Sequence, residues 1–157
     1  MTWSRREVFT MLPALAVAQA ALAEQGAPAS QTAQAPQGPQ TTALPAKIYH
    51  SSEIPYKGDE KKKARRFFYG PEHSGYNLEM HETVLGPGVE THPLHTHGHQ
   101  EIIILLEGTL EVSMDGRTDT VEAGSVIFYE PDKPHNLRNT GTVPCRYYVV
   151  ELRGRNA

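Results

Sequence analysis

The sequence predicts an all-β fold, either a sandwich or a barrel. Between residues 47 and 157, short segments rich in Val, Ile, Phe and Tyr recur with turn residues between them. The same region shows no amphipathic pattern of normal helical length. Short strands at this spacing are typical of antiparallel sandwiches and barrels. The predicted strands are residues 66–69, 78–85, 101–106, 109–114, 118–122, 126–129, 135–139 and 146–152.

Turn residues mark the joins between these segments. Asp115-Gly116 separates two alternating segments, and this dipeptide favours a two-residue type I′ turn because both of its central positions need positive φ. The sequence therefore predicts a hairpin between residues 109–114 and 118–122. The other joins carry further turn signals, at Gly86-Pro87-Gly88, Glu107-Gly108, Ala123-Gly124 and Asn139-Thr140-Gly141.

Residues 1–23 resemble a twin-arginine export signal. Arg5-Arg6 precedes an Ala-rich run over residues 11–23, and Ala21-Leu22-Ala23 has the small-x-small pattern of a signal peptidase site. The run is interrupted by Pro13 and is shorter than the ~20 apolar residues that a spanning helix needs. We expect cleavage before Glu24, a periplasmic location and no membrane span afterwards. The alternative is an uncleaved amphipathic helix.

Residues 24–46 are predicted to be a flexible linker. They consist mainly of Ala, Gln, Pro, Gly, Thr and Ser, and Leu44 is their one large apolar residue. Such a segment cannot bury enough apolar surface to offset the entropy of ordering it. The folded domain is therefore predicted over residues 47–157. Within it, the charged run at residues 59–66 is interpreted as a solvated turn or short helix.

Composition limits the chemistry available to this domain. The chain has 15 Lys and Arg against 18 Asp and Glu, so it lacks the basic excess of a nucleic-acid binder. A single Cys, Cys145, excludes an intramolecular disulfide framework and a Cys-rich metal site. We expect Cys145 to be a buried small apolar residue. Any metal would be held by carboxylates and by the 8 His residues.

Histidines and one glutamate form a candidate metal-binding set. On an extended strand, His95, His97 and Glu101 would point to one face, and His135 can join them from a neighbouring strand. Three imidazoles and one carboxylate suit a single divalent transition metal, Fe, Mn, Ni, Co or Zn, with positions left for water or substrate. His97, His99 and Glu101 form an alternative set of the same parity.

These residues resemble the two motifs of the cupin superfamily. The first motif, G-x5-H-x-H-x3-E-x6-G, is matched from His95 through His97 and Glu101 to Gly108. The second is matched at Gly124, His135 and Asn139, so the resemblance covers about residues 78–152. It implies a double-stranded β-helix, or jelly-roll β-barrel, with a metal inside. Three positions depart from the pattern: Gly88 lies one residue too far from His95, Pro131 comes one position late, and Asp132 replaces a glycine.

The resemblance leaves two classes of function open. One is a metal-dependent enzyme, a dioxygenase, isomerase or lyase, that acts on a small oxygenated molecule. The other is a non-catalytic module that binds a metal or small ligand outside the cytoplasm. The expected partners are a small molecule and, as an option, a second copy in a homodimer. His92 and His99 are expected beside the metal ligands, and about half of Met114, Phe128, Tyr129, Arg138, Tyr147 and Tyr148 should face the interior.

Overall fold

The structure, a computed structural model, describes residues 42–154. A short 3-10 helix at Ser51–Glu53 precedes nine β-strands. The strands are β1 (Lys57–Gly58), β2 (Lys62–Pro71), β3 (Asn77–Leu85), β4 (Gln100–Glu107), β5 (Thr109–Met114), β6 (Arg117–Glu122), β7 (Val126–Tyr129), β8 (His135–Arg138) and β9 (Cys145–Arg153). Within the described residues no helix is long and apolar enough to cross a bilayer.

The strands form two antiparallel sheets. The larger has the order β1-β2-β3-β9-β4-β7, and the smaller has the order β6-β5-β8. Side chains alternate along each strand, so on β9 Cys145, Tyr147 and Val149 are buried while their neighbours are more exposed. A single apolar cluster that includes Leu105 and Leu110 joins the two sheets. This architecture confirms the predicted all-β jelly-roll fold and the burial of Cys145.

The hairpin predicted at Asp115-Gly116 is present. Both residues have positive φ, 48° and 77°, and Met114 pairs with Arg117 across the two-residue turn. These dihedral signs are those that a type I′ turn requires. The dipeptide alone was therefore sufficient to place this turn.

The prediction for the basic run at residues 59–66 was wrong in part. Lys62 begins β2, which pairs with β3 from Lys62↔Leu85 to Pro71↔Asn77, with a register shift between Arg66 and Phe68. Its first residues are strongly charged, and charged residues are depleted in strands. Pairing with β3 over the length of the strand overrides that weak local preference, so a strand replaces the expected turn or helix.

The predicted signal segment, residues 1–23, and residues 24–41 of the predicted linker lie outside the described residues. The end of that linker is described. There the Leu44 N–H donates to the Pro71 carbonyl at 2.7 Å, so the chain already contacts the end of β2 at this point.

Candidate metal centre

His95 and His97 lie on an irregular segment before β4. The prediction that one strand carries both of them with Glu101 was wrong, because β4 begins at Gln100. His95 is instead held by an isolated bridge to His135, the first residue of β8. Each N–H of this pair donates to the other's carbonyl, at 3.3 Å and 3.0 Å. Backbone pairing rather than strand parity therefore brings these histidines together.

The three imidazoles of His95, His97 and His135 converge. One ligand atom from each ring lies within 4.8 Å of those of the other two. The ring centroids of His95 and His97 are each 4.6 Å from that of His135. His95 is partly exposed, whereas His135 is buried. This spacing allows three nitrogens to meet at one ion.

Backbone hydrogen bonds orient all three rings. Nδ1 of His95 contacts the His135 carbonyl at 3.1 Å, Nδ1 of His97 contacts the His99 carbonyl at 2.9 Å, and Nδ1 of His135 contacts the Lys133 carbonyl at 2.7 Å. A carbonyl only accepts, so each Nδ1 carries the proton and each Nε2 presents a lone pair. This is the arrangement that metal-ligating histidines show.

Two of these Nε2 atoms are orphaned. Nε2 of His97 and Nε2 of His135 are buried and make no hydrogen bond. Buried polar atoms are nearly always hydrogen-bonded, so unpaired acceptors that point to a common centre need an explanation. A divalent cation would satisfy them. The residues present therefore fit the metal that the histidine spacing predicts.

Glu101 meets this cluster through His97. Its Oε2 lies 3.4 Å from Nε2 of His97. Burial, aided by the negative charge of Glu151, raises the pKa of Glu101 to about 7. Glu101 also forms a second group with His97 and His99, whose ligand atoms lie within 4.8 Å of one another. The predicted set and its alternative thus overlap at His97 and Glu101.

His92 and His99 lie against the rings of the candidate ligands, where the sequence predicts them. The ring of His99 stacks on His97 with centroids 3.7 Å apart, and its Nε2 lies 3.3 Å from Oε2 of Glu151. The ring of His92 contacts His95, with centroids 3.9 Å apart. Burial lowers the pKa of both, which favours their neutral forms. Both therefore buttress the cluster as uncharged rings.

A cavity of about 510 Å³ adjoins the cluster. Ile103, Leu137 and Val149 form part of its apolar wall. Its polar wall was missed by the sequence analysis and includes Lys62, His81, Glu151 and Arg153. The alternation of side chains along β3 and β9 could have revealed part of this wall. Glu79 and His81 share one face of β3 with the buried Leu85, and Glu151 shares one face of β9 with the buried Val149.

Two of the six side chains that could face the interior do so, which is fewer than the half that alternation predicts. Tyr129 and Tyr147 are buried, whereas Met114, Phe128 and Arg138 are exposed and Tyr148 is half-buried. The ring of Tyr129 stacks on His135 with centroids 4.0 Å apart. Burial raises the pKa of Tyr129, so it keeps its proton. Tyr129 thus packs behind a metal-ligand candidate as a neutral aromatic wall.

Asn139, the last residue of the second motif, supports a turn. It is fully buried, and its Nδ2 donates to the carbonyls of Leu85 and Val143 at 2.8 Å and 2.9 Å. Its Oδ1 accepts from the N–H of Gly141. The side chain therefore ties the β8–β9 connection to the end of β3, and its role is structural.

Known proteins resemble this chain in sequence and in fold. Residues 81–151 match a family model described as "Cupin domain". An uncharacterized protein of Methanocaldococcus jannaschii is 28% identical over 93 residues, 59% of this chain and 74% of that protein. A predicted oxalate decarboxylase from Thermotoga maritima has a TM-score of 0.61 at 23% identity, covering 69% of this chain and 100% of that one.

A further solved structure has a similar fold. The polyketide cyclase RemF from Streptomyces resistomycificus has a TM-score of 0.59 at 24% identity, covering 71% of this chain and 82% of that one. At such identities these structural similarities establish the fold alone. The match over residues 81–151, together with the two-sheet architecture, supports the cupin superfamily.

Proposed function

We propose that this cupin domain binds one divalent transition metal through His95, His97 and His135, with Glu101 as the fourth ligand. The observation that carries the proposal is the set of three Nδ1 contacts to backbone carbonyls, which leaves every Nε2 free to bind a cation. A divalent charge would also favour the ionised form of Glu101, against the effect of its burial.

The bound metal would serve a metal-dependent enzyme of the dioxygenase or oxidoreductase type that acts on a small oxygenated organic molecule. When bound, it supplies a Lewis acid and, if it is iron or manganese, a redox centre. The adjoining cavity has the volume of a small-molecule site and carries polar groups that the metal does not need. An enzymatic role is supported by two structures of similar fold that are named as enzymes, the predicted oxalate decarboxylase and the polyketide cyclase.

A non-catalytic module that binds a metal or small ligand is the second candidate. One cavity carboxylate is already engaged by an arginine, since Glu151 pairs with Arg153. Carboxylates held in this way are poorly suited to carry protons during a reaction. This pairing favours a binding role over catalysis.

The metal proposal is tested by metal content and stability. We expect the purified full chain to hold one transition metal per molecule by plasma mass spectrometry and to lose it in a His95→Ala/His135→Ala variant. The exposed His73 provides the control, since His73→Ala should keep the metal. Saturating metal at 100 times Kd should stabilise the wild type by about 2.7 kcal/mol, and should not stabilise the double variant. Full occupancy in the double variant contradicts the proposal.

Catalysis and simple binding are separated by access to the metal. For an enzyme we expect azide or nitric oxide to change the spectrum of the iron-loaded protein, and oxygen uptake with at least one small phenol, diketone or organic acid. The metal-free protein serves as the control. A spectrum that ignores both probes, without turnover of any compound, favours the non-catalytic module.

A further inference from the structure

Lys62 is a cation on the wall of the candidate metal cavity. It lines this cavity, and its Nζ donates to the Thr91 carbonyl at 2.5 Å. Among the described residues Lys62 joins no ion pair, whereas Lys133 pairs with Asp115. The residue is exposed, yet partial burial lowers the pKa of its ammonium group. No neighbouring carboxylate offsets that effect.

Lys62 contacts the chain segment that carries two of the candidate metal ligands. Thr91, its hydrogen-bond partner, immediately precedes His92, and the ring of His92 contacts that of His95. A ligand in this cavity can therefore meet both the histidine cluster and the Lys62 ammonium.

Of the other charged side chains that line the cavity, Glu151 and Arg153 offset each other, which leaves the single negative charge of Glu101. Glu151 is paired with Arg153 and faces His99, and Glu101 faces Nε2 of His97. With a divalent ion bound, the cluster and Lys62 would carry three positive charges against the single charge of Glu101. An excess of positive charge in a partly enclosed cavity attracts an anionic ligand.

We propose that the ligand of this cavity is a small organic carboxylate, and that Lys62 is the residue that selects it. This inference rests on the proposed metal site, which would take a second oxygen of the same molecule. Lys62 acts as a positioning and specificity residue, because its ammonium fixes one end of the ligand while the cluster holds the other. A compact ammonium charge provides this without the planar geometry of an arginine.

Calorimetric titration tests the inference, with malonate as the probe and the cobalt-loaded full chain as the protein. We expect malonate to bind, the uncharged malonamide to bind much more weakly, and Lys62→Met to weaken malonate binding about tenfold. Lys62→Arg should retain most of the affinity. Lys63→Met is the matched control, since Lys63 is the next residue of β2 and its ammonium lies over the ring of Tyr56, 5.3 Å from the centroid.

The outcomes separate this inference from the metal proposal, because metal content is measured in the same samples before and after titration. Malonate affinity that is unchanged in Lys62→Met, or equally reduced in Lys63→Met, overturns the role of Lys62. Inorganic phosphate that binds as tightly as malonate and depends equally on Lys62 overturns the choice of carboxylate. Absence of cobalt from the wild type contradicts the metal proposal instead.

Discussion

At the scale of single residues, the orientation of side chains decides what the candidate centre can bind. His97 and His135 each have one ring nitrogen fixed by a main-chain carbonyl, and their other nitrogen is buried without a hydrogen bond. The metal would therefore not have to reorient these rings, and less conformational entropy would be lost on binding. Preorganisation of this kind separates a ligand set from a chance cluster of histidines.

Glu82 is the clearest residue-scale determinant of stability. It is fully buried, and Tyr56, Arg65 and Arg146 all donate to its carboxylate. Burial alone would raise the pKa of Glu82, but these three donors outweigh it and hold the pKa below its ordinary value. A lowered native pKa adds stability above the unfolded value, and that stability is lost as the pH falls through the native value.

We expect Glu82→Gln to lower the free energy of unfolding by about 2–3 kcal/mol at pH 7, because it leaves Arg65 without a counter-charge and Arg146 with only Glu107. The difference from wild type should shrink as the pH falls below the unfolded value. Urea denaturation at pH 7 and at pH 3.5–4 checks both expectations. Glu122→Ala, at an exposed position, is the control and should have little effect. A pH-independent difference would mean that the charge of Glu82 is not what stabilises the fold.

At the scale of elements, two glycines at turns allow backbone conformation to be separated from packing. Gly108 joins β4 to β5 with φ +83°, and Gly116 lies in the β5–β6 turn with φ +77°. A Cβ at Gly108 would approach Cα of Cys145 to 2.9 Å, whereas a Cβ at Gly116 would meet nothing within 4 Å. Gly108 is therefore required both for its positive φ and for the close approach of β9, whereas Gly116 is required for its positive φ alone.

We expect Gly116→Ala to cost about 1 kcal/mol, which is the penalty of a left-handed conformation. Gly108→Ala should cost at least about 2 kcal/mol more, because the backbone of β9 must also shift. Thermal and urea denaturation of the two variants measure the difference. Equal losses for the two substitutions would show that β9 accommodates the added methyl group freely.

At the scale of the whole molecule, the candidate ligands come from both sheets. Glu101 lies on β4 of the six-stranded sheet, and His135 lies on β8 of the three-stranded sheet. A metal held by both would cross-link the two layers, so its removal should loosen the domain as a whole. This connects the centre to the stability of the entire domain.

Export is the other whole-molecule prediction. If Arg5-Arg6 directs transport, Arg5→Lys/Arg6→Lys should leave the protein in the cytoplasm in its uncleaved form. Fractionation with immunoblotting, and N-terminal sequencing for cleavage before Glu24, provide the measurements. Lys61→Arg/Lys62→Arg, a charge-conserving pair within the folded domain, is the control and should not alter the distribution. Export of the Arg5→Lys/Arg6→Lys variant at the wild-type level would indicate a general secretory signal.

The sequence by itself determined the features that depend on neighbouring residues. Alternation of apolar and polar positions located eight of the nine described strands, although it missed β1 and the first residues of β2. The Asp115-Gly116 dipeptide placed the tight hairpin. The spacing of His95, His97 and His135 also singled out the three imidazoles that the fold brings together. These features can be predicted from the sequence because each depends on neighbouring residues or on a motif whose spacing is fixed.

Only the tertiary structure decided how those features meet. It placed His95 and His97 on an irregular segment, where a backbone bridge rather than strand parity aligns them with His135. It also brought Lys62 and Glu151 into the cavity wall, although β2 and β9 lie far apart in the sequence. Which distant strands pair, and in which register, depends on burial of the common core, so no local pattern could identify the neighbours of the site.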